Sequence, residues 1–355
     1  MNILIIGSGV IGLSTAFELA LTGHKVKVIT RNYEEGTSWV AGGMLAPFSE
    51  GLSGDLLEFS MESLSLYTDF ITRLQEVSRH SLYYKRNGIL RLFMNKEEEN
   101  RIKAVLPFYR KLGVKFEELT AEELKNRESL LSPDCGGAVL FHDEGNVDAE
   151  RLMDALLIAC ERLNISVEID DISEIEKKGN RIECVRGYRN TYGADLYIFT
   201  TGAWSRSLLK LPVYPVKGQI LKIKGHELER VYYSNIAYII PKESHILVGA
   251  TSEDAGFDSR TTLEGVGKLI EGATKTLPSL TDAELLDVKV GFRPATPDEK
   301  PILHKENNFI LSVGHYRNGI LWAPATARAV LDVVEKNQAS KFFNLFSANR
   351  FNHQS

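Results

Sequence analysis

Three glycines near the start of the chain carry the clearest chemical meaning. Gly7, Gly9 and Gly12 follow the apolar run of residues 1–6 with the spacing G-x-G-x-x-G. In dinucleotide-binding loops of this spacing, the first glycine permits a tight turn and the second lets the backbone approach a pyrophosphate. The third lets the next helix pack closely on the strand, and the free N–H groups of that helix face the phosphates. The spacing therefore predicts a dinucleotide site.

The flanking residues supply the elements that such a site needs. Apolar residues keep helical spacing from Val10 to Leu21, and Gly23 follows as a helix end. Residues 25–29 then alternate as a second strand. Strand, loop, helix and strand together predict a βαβ unit.

The end of the second predicted strand departs from the usual pattern. An acidic residue about twenty positions after the loop normally binds the ribose hydroxyls, but this chain has Thr30 and Arg31. Two interpretations are open at this point. Thr30 could make a neutral ribose contact, with Glu34 or Glu35 as substitutes for the acid, or Arg31 could bind the 2′-phosphate of NADP.

Length and composition set the outer limits. The 355 residues are enough for two domains, and 43% hydrophobic and 25% charged residues with a net charge of -5 are ordinary globular values. No basic run suggests nucleic acid, no apolar run could span a bilayer, and no secretory leader precedes the first strand. Cys135, Cys160 and Cys184 lack metal-like spacing. We expect a cytoplasmic protein without a bound metal.

Two later segments also suggest contact with a large ligand. Residues 37–47 are rich in small side chains, which suit a backbone lying against a flat ligand, although a tightly packed turn is the alternative. Residues 314–324 follow a predicted strand at 309–313 and open a helix, which presents a second helix N-terminus to a ligand.

The remaining pattern divides the chain into two kinds of region. Between residues 143 and 203 the helix-and-strand pattern continues the nucleotide domain, with a hairpin turn at 177–180. The other kind of region belongs to a second domain. It contains long helices, a predicted hairpin leading from 83–88 into a strand at 89–93, and antiparallel strands at 219–223, 231–240 and 245–250. We predict an α/β protein, with a Rossmann-like domain of residues 1–46, 138–218 and 288–355 and an α+β substrate domain of residues 47–137 and 219–287 built on an antiparallel sheet.

Seven motifs, taken in order, resemble the glycine oxidase branch of the D-amino acid oxidase flavoprotein family. They are the glycine loop, SWVAGGMLAP, TTGAWS, PVKGQIL, YIIPK with VGAT, GFRPATPD and GHYRNGILWAPAT. The resemblance implies a glutathione-reductase-type FAD domain and an extended FAD, which disfavours NADP. It places the isoalloxazine between residues 42–44 and 314–321, with the last helix near its N1–C2=O edge. Because no cysteine follows Cys184, the FAD is expected to be non-covalent.

The resemblance also implies a set of cofactor contacts. They are Gly7, Gly9, Val10, Ile11, Gly12, Thr30, Arg31, Ser38, Ala41, Gly42, Gly43, Met44, Ile172, Thr201, Gly202, Trp204, Gly314, His315, Arg317, Asn318, Gly319, Ile320 and Leu321.

An amino acid substrate presents a carboxylate that a planar arginine fork can hold bidentately. By resemblance this arginine is Arg293, and Tyr238 adds a hydroxyl to the same carboxylate. The alternatives are an ion pair of Arg293 with Asp298 or Glu299, and a half-buried strand tyrosine at position 238.

Two further residues lie in the last motif. Arg317 is expected either to contact substrate or to brace its loop, and His315 to be a packed loop residue rather than a base. Bulky residues at Tyr232, Tyr233 and Phe257 favour a small substrate.

The implied activity is oxidative deamination of glycine, sarcosine or small D-amino acids. Hydride passes from Cα to flavin N5 without a base, the imine is hydrolysed to an oxo acid and ammonia, and O2 is reduced to H2O2. The resemblance further implies a role in the thiazole branch of thiamine biosynthesis and a possible homotetramer. Two alternatives remain: an amine dehydrogenase that passes electrons to a quinone or partner subunit, and a subunit whose flavin is structural.

Overall fold

The computed structural model describes residues 1–33 and 36–351. The α-helices in these ranges are α1 Val10–Leu21, α2 Gly54–Ser78, α3 Lys96–Lys111, α4 Ala121–Arg127, α5 Ala149–Arg162, α6 Ser205–Leu209, α7 Leu263–Thr276, α8 Gly319–Lys336 and α9 Lys341–Leu345. The strands are β1 Asn2–Ile6, β2 Lys25–Thr30, β3 Met44–Leu45, β4 Tyr84–Lys85, β5 Ile89–Leu92, β6 Phe116–Thr120, β7 Gly137–Phe141, β8 Gly145–Val147, β9 Ser166–Ile169, β10 Ile172–Lys178, β11 Arg181–Gly187, β12 Thr191–Tyr192, β13 Leu196–Phe199, β14 Tyr214–Lys224, β15 Val231–Tyr233, β16 Tyr238–Pro241, β17 Ile246–Gly249, β18 Glu284–Ala295, β19 Ile302–Glu306 and β20 Phe309–Val313.

A six-stranded sheet forms the nucleotide side of the molecule, with the order β19-β20-β13-β1-β2-β9. Its strands are parallel except for β19, which runs antiparallel to β20 at the edge. Helix α1 connects β1 to β2 and packs against α5 and α8. Its apolar residues are almost entirely buried, as expected for a helix covered on several sides. The predicted βαβ opening is present.

An eight-stranded sheet forms the other side, with the order β18-β14-β17-β16-β15-β5-β7-β6. Its neighbours are antiparallel except for β15 and β5. Two three-stranded sheets, β10-β11-β12 and β3-β8-β4, complete the fold. Tyr238 lies on β16 and Arg293 on β18. The two intervening strands, β17 and β14, therefore fix the spacing of the two predicted substrate residues.

Two sequence predictions about strands are wrong. The segment before β5 does not form a hairpin with it, because β4 pairs with β8 instead. Residues 231–240 are not one strand. A turn at 234–237 separates β15 from β16, and the Ser234 hydroxyl closes it by donating to Ala237 O at 3.0 Å and accepting from Ala237 N at 3.3 Å.

The predicted domain boundaries do not follow the sheets. The boundaries at 137/138, 218/219 and 287/288 fall inside β7, β14 and β18, all of which belong to the eight-stranded sheet. The physical reason is the long ladder between β14 and β18, which pairs Tyr214 with Ala295 at one end and Lys224 with Glu284 at the other. A division by sheet therefore assigns these strands whole to the substrate side. In the described ranges, no helix is long and apolar enough to cross a membrane.

Candidate active site

A cavity of about 930 Å³ lies at the carboxyl ends of the parallel strands. The residues that end or follow β1, β2, β9, β13 and β20 line it, namely Gly7, Thr30, Asp170, Thr200 and Gly314. Ligands of open α/β sheets bind at this edge. The opposite wall comes from β16, β17 and β18 of the eight-stranded sheet. The cavity thus joins a nucleotide-binding edge to the sheet that carries the predicted substrate residues.

The glycine loop has the geometry expected of a pyrophosphate cradle. Gly7 has a φ of +118°, and a Cβ there would lie 2.4 Å from Thr200 O. A Cβ at Gly12 would lie 1.9 Å from Gly7 O, so Gly12 packs behind the loop and does not line the cavity. The N-terminus of α1 faces the cavity through Gly9 and Val10, and the Ser38 hydroxyl accepts a hydrogen bond from Val10 N at 3.0 Å.

At the end of β2, Thr30 occupies the place where an acidic residue is usual. Thr30 is buried, and its hydroxyl accepts from Ser8 at 2.8 Å and donates to Asn32 O at 3.1 Å. The guanidinium of Arg31 lies 4.7 Å from the ring centroid of Trp204, and both residues line the cavity. Glu34 and Glu35, the suggested substitutes, lie outside the described residues.

Asp170, which the sequence analysis did not single out, also lines this end of the cavity. Its buried carboxylate accepts hydrogen bonds from Arg189 N at 3.1 Å, Asn190 N at 3.0 Å and the Tyr192 hydroxyl at 3.0 Å. Burial raises the pKa of Asp170, but these hydrogen bonds outweigh burial and hold it below its usual value. Its position directly after a parallel strand was the available signal.

The segment predicted to face a flat ligand is held from behind by a buried lysine. Lys242 donates from Nζ to Gly42 O and to Val147 O, each at 2.8 Å. Gly43 has a φ of +75°, and a Cβ there would lie 2.0 Å from Val147 O. Burial lowers the pKa of Lys242 to about 8. The lysine of the YIIPK motif thus fixes the backbone at residues 42–43, a role that the motif alone did not reveal.

The last predicted loop follows β20 and leads into α8. Gly314 has a φ of +72°, and its neighbour His315 is buried, with Nε2 3.1 Å from the Thr326 hydroxyl. Burial lowers the pKa of His315 to about 3, so the ring is neutral at physiological pH and fits the predicted packing role. Arg317 lines the cavity and donates to the Tyr316 hydroxyl at 3.1 Å. Leu321 lies in the apolar core and not on the cavity wall.

The other predicted cofactor residues line the cavity. They are Ile11, Ala41, Met44, Ile172, Thr201, Gly202, Asn318, Gly319 and Ile320. In the described ranges, the three cysteines lie away from the cavity wall.

Arg293 and Tyr238 project into the cavity because glycines make room for them. The guanidinium of Arg293 lies over Gly218, where a Cβ would be 2.5 Å from Nη1, and it donates to Thr251 O at 3.0 Å. The ring of Tyr238 lies over Gly249 and Gly42, whose Cβ atoms would lie 2.4 and 3.3 Å from Cε2. Burial raises the pKa of Tyr238, and the charge of Arg293 opposes that rise. Neither side chain could take this place over an alanine.

The alternative partner Asp298 is engaged elsewhere. Its carboxylate pairs with Arg350 at 2.8 Å. Of the three bulky residues predicted near the substrate, Tyr233 alone lines the cavity. The Tyr232 hydroxyl donates to Glu128 at 2.7 Å, and Phe257 stacks on Trp204 with ring centroids 5.4 Å apart.

A polar network fixes the carbonyl that holds Arg293. The Thr251 hydroxyl donates to Glu253 at 2.5 Å and accepts from Gln219 N at 2.8 Å. Glu253 also accepts from Gln219 Nε2 at 2.8 Å and lies 3.4 Å from Nζ of the buried Lys217. The PVKGQ motif therefore has two roles. Gly218 leaves room for the guanidinium of Arg293, and Gln219 helps to hold Thr251, whose carbonyl accepts from Arg293.

A carboxylate that the sequence analysis missed enters the same end of the cavity. Glu50 lines the wall with Arg293 and Arg317 and interacts electrostatically with both. Burial raises the pKa of Glu50, while the charges of Arg317, Arg293 and Arg91 oppose that rise. A lone glutamate outside every motif gave no local signal of this position.

The site combines a phosphate cradle at the strand ends with a second helix N-terminus at α8, and the arginine–tyrosine pair adjoins them. This combination defines a dinucleotide-dependent oxidoreductase. The size of the cavity and the glycine clearances of its loops fit an extended FAD. The sequence model of the DAO family, FAD-dependent oxidoreductases, matches residues 2–333. The chain belongs to this family, and FAD is its cofactor, so the NADP interpretation of Arg31 is wrong.

Individual relatives agree with this assignment. The chain is 34% identical to the bifunctional protein ThiO/ThiG of Trichormus variabilis, over 99% of the chain but 55% of that protein, so it spans about half the length of this relative. It is 31% identical to the glycine oxidase of Geobacillus kaustophilus, covering 98% of the chain and 97% of the relative. The crystal structure of glycine oxidase from Geobacillus kaustophilus matches with a TM-score of 0.94 and 29% identity, covering 98% of each chain. The predicted fold class and the family resemblance are confirmed.

Proposed function

We propose that the protein is an FAD-dependent oxidase of glycine and other small amines, including sarcosine and small D-amino acids. The observation that carries this proposal is the placement of Arg293 on β18 and Tyr238 on β16 in one cavity wall, with the Tyr238 ring next to the Gly42 backbone. A guanidinium and a phenol hydroxyl so placed suit a small carboxylate. Similarity to glycine oxidases supports the choice of substrate.

The residues of this chain bind and orient the substrate. Arg293 holds the carboxylate, with its guanidinium fixed by Thr251 O, and Tyr238 donates its hydroxyl to the same group. This orientation supplies most of what the reaction needs from the protein, because positioning alone can lower a barrier by ~7–11 kcal/mol. When bound, FAD supplies the hydride acceptor. Burial lowers the pKa of His315 to about 3, which makes its ring a poor proton acceptor, and in this proposal the substrate amine binds in its neutral form.

The products in this proposal are an imine or its oxo acid with ammonia, and H2O2 from O2 as electron acceptor. The imine of glycine is a reasonable supply for the thiazole branch of thiamine biosynthesis, which the similarity to ThiO/ThiG proteins supports.

The visible spectrum of the purified holoprotein tests this proposal. The protein is mixed anaerobically with glycine, sarcosine, D-alanine or D-proline, and air is then admitted. We expect the flavin absorbance to bleach and to return rapidly with formation of peroxide. Bleaching that persists in air until a quinone is added would indicate a dehydrogenase, and a yellow protein that no amine bleaches would contradict the proposed substrate class.

A further inference from the structure

The end of the cavity next to β2 and β9 is where the adenosine half of a dinucleotide belongs. In folds of this kind an acidic residue at the end of the second strand binds the adenosine ribose. Neither Thr30 nor Arg31 offers that carboxylate, and the Thr30 hydroxyl is already bonded to Ser8 and to Asn32 O. Adenosine recognition in this chain therefore rests on other residues at this end of the cavity.

A buried carboxylate at this end holds a surface turn, residues 187–190. The side chain of Asp170 accepts hydrogen bonds from Arg189 N at 3.1 Å and from Asn190 N at 3.0 Å. The turn is closed by a hydrogen bond from Gly187 N to Asn190 O at 2.9 Å. A Cβ at Gly187 would clash with the carboxylate, so the acid lies directly against the backbone of the turn. Asp170 therefore fixes this turn to the end of β9.

Tyr188 is the residue of this turn that lines the cavity. Its backbone N–H donates to Asp171 O at 3.3 Å, which adds a second tie to the segment after β9. The residue is 82% exposed although it belongs to the cavity wall. Within residues 1–33 and 36–351, its ring has no aromatic or cationic partner and its hydroxyl makes no hydrogen bond. The fold thus holds in place an aromatic ring that has no partner in the protein.

The other aromatic ring at this end of the cavity is already engaged. Trp204 lies under the guanidinium of Arg31, 4.7 Å from its ring centroid, and stacks on Phe257 with centroids 5.4 Å apart. Tyr188 therefore offers an open ring face where Trp204 does not. Aromatic side chains bind nucleobases by stacking, because every base has a π-face. An open ring at the adenosine end of a dinucleotide cavity is matched to adenine.

We propose that Tyr188 binds the adenine of FAD by stacking, and that Asp170 is the positioning residue that holds Tyr188 at the cavity. In this proposal the ring supplies part of the affinity that an acidic residue after the second strand supplies in other dinucleotide folds. The inference rests on FAD as the cofactor and not on the proposed substrate. It concerns cofactor affinity, which is measured without turnover.

Binding of FAD and ADP to the full-length apoprotein tests the stack. Dissociation constants are measured by flavin fluorescence for FAD and by calorimetry for ADP, in the unaltered protein, Tyr188→Ala, Tyr188→Phe and Tyr214→Ala. Tyr214 is exposed and lies off the cavity wall, so it is a matched control. We expect Tyr188→Ala to bind both ligands about fivefold to 100-fold more weakly. Tyr188→Phe keeps the ring, so it and Tyr214→Ala should bind both ligands as the unaltered protein does.

A double-mutant cycle tests the role of Asp170. Asp170→Asn keeps the size of the side chain but replaces one acceptor oxygen by an amide, which loosens the turn. It should weaken ADP binding in the unaltered protein and have little effect in the Tyr188→Ala background. No loss in Asp170→Asn, or an equal loss in both backgrounds, would overturn the positioning role.

Three results would overturn the stack itself. They are unchanged FAD and ADP affinity in Tyr188→Ala, a loss in Tyr188→Phe as large as in Tyr188→Ala, and an equal loss in Tyr214→Ala. If no amine bleaches the flavin of the unaltered protein, the proposed function fails, and these dissociation constants still decide the role of Tyr188.

Discussion

Replacing Gly218 by alanine should displace Arg293, the proposed substrate-binding residue, while leaving the fold intact. The added Cβ would lie 2.5 Å from Nη1 and 2.7 Å from Cζ of Arg293, whereas ordinary contacts are 3.4–4 Å. The guanidinium is the free end of a flexible side chain, so it can move by about 1 Å without disturbing the backbone. Gly218 has no positive φ that alanine would resist. A misplacement of this size can cost about 100-fold in rate, or ~2.7 kcal/mol of transition-state stabilisation.

The assay compares kcat/KM for glycine and the dissociation constant of acetate in Gly218→Ala and in the unaltered protein. Gly267→Ala is the control, because Gly267 lies in α7 with open space around its Cβ position. We expect glycine kcat/KM and acetate affinity to fall in Gly218→Ala, with thermal stability and FAD content retained. Normal glycine kinetics in a folded Gly218→Ala protein would show that Arg293 is not the carboxylate ligand.

Three further predictions concern single side chains. Arg293→Ala should leave FAD bound and raise the glycine KM by about 100-fold or more, because it removes a charge-assisted bidentate contact; an unchanged KM would contradict its role. Lys242→Met should weaken FAD binding about tenfold or more in a fluorescence titration of the apoprotein, because the carbonyl of Gly42 loses its charged donor. An unchanged FAD affinity would contradict the role of Lys242 in fixing this backbone. Burial lowers the pKa of His315 from 6.5 to about 3. Between pH 6.5 and 3 the unfolded state therefore binds a proton that the folded state does not, so His315 lowers the free energy of unfolding as the pH falls. His315→Gln should therefore lose less stability between pH 6.5 and 3 in chemical unfolding, and an identical acid profile would refute the linkage.

The nucleotide-binding half of the site could be predicted because its determinants are local. Strand, glycine loop and helix occupy the first 21 residues, and Gly12 packs on Gly7 O as its position in the motif predicts. The hydroxyl of the unusual Thr30 also has local partners, since it accepts from Ser8 and donates to Asn32 O.

The supports of the site could not be predicted because they join distant parts of the chain. Lys242 reaches a carbonyl 200 positions earlier, and Glu144 holds a turn about 95 positions before it. Such contacts depend on how the two large sheets pack together, and the hydrophobic periodicity of the sequence does not encode that packing. Glu50 belongs to the same class, because only folding brings it to a wall formed by distant segments. Sequence reasoning found Arg293 and Arg317 by motif and missed Glu50, which lines the same cavity.

Two glycines of the later motifs, Gly218 and Gly249, have a different purpose from Gly7 and Gly43. Gly7 and Gly43 have positive φ values and close turns on the wall of the cavity. Gly218 and Gly249 lie in extended strands, where a glycine normally weakens the strand. Their benefit lies on the neighbouring strand, because each bare backbone leaves room for the side chain of a proposed substrate-binding residue, Arg293 or Tyr238. In the ladder of β16 and β17, Gly249 pairs directly with Tyr238. A glycine in one strand opposite a bulky residue in the next therefore indicates a contact within the site, which the glycine loop alone does not reveal.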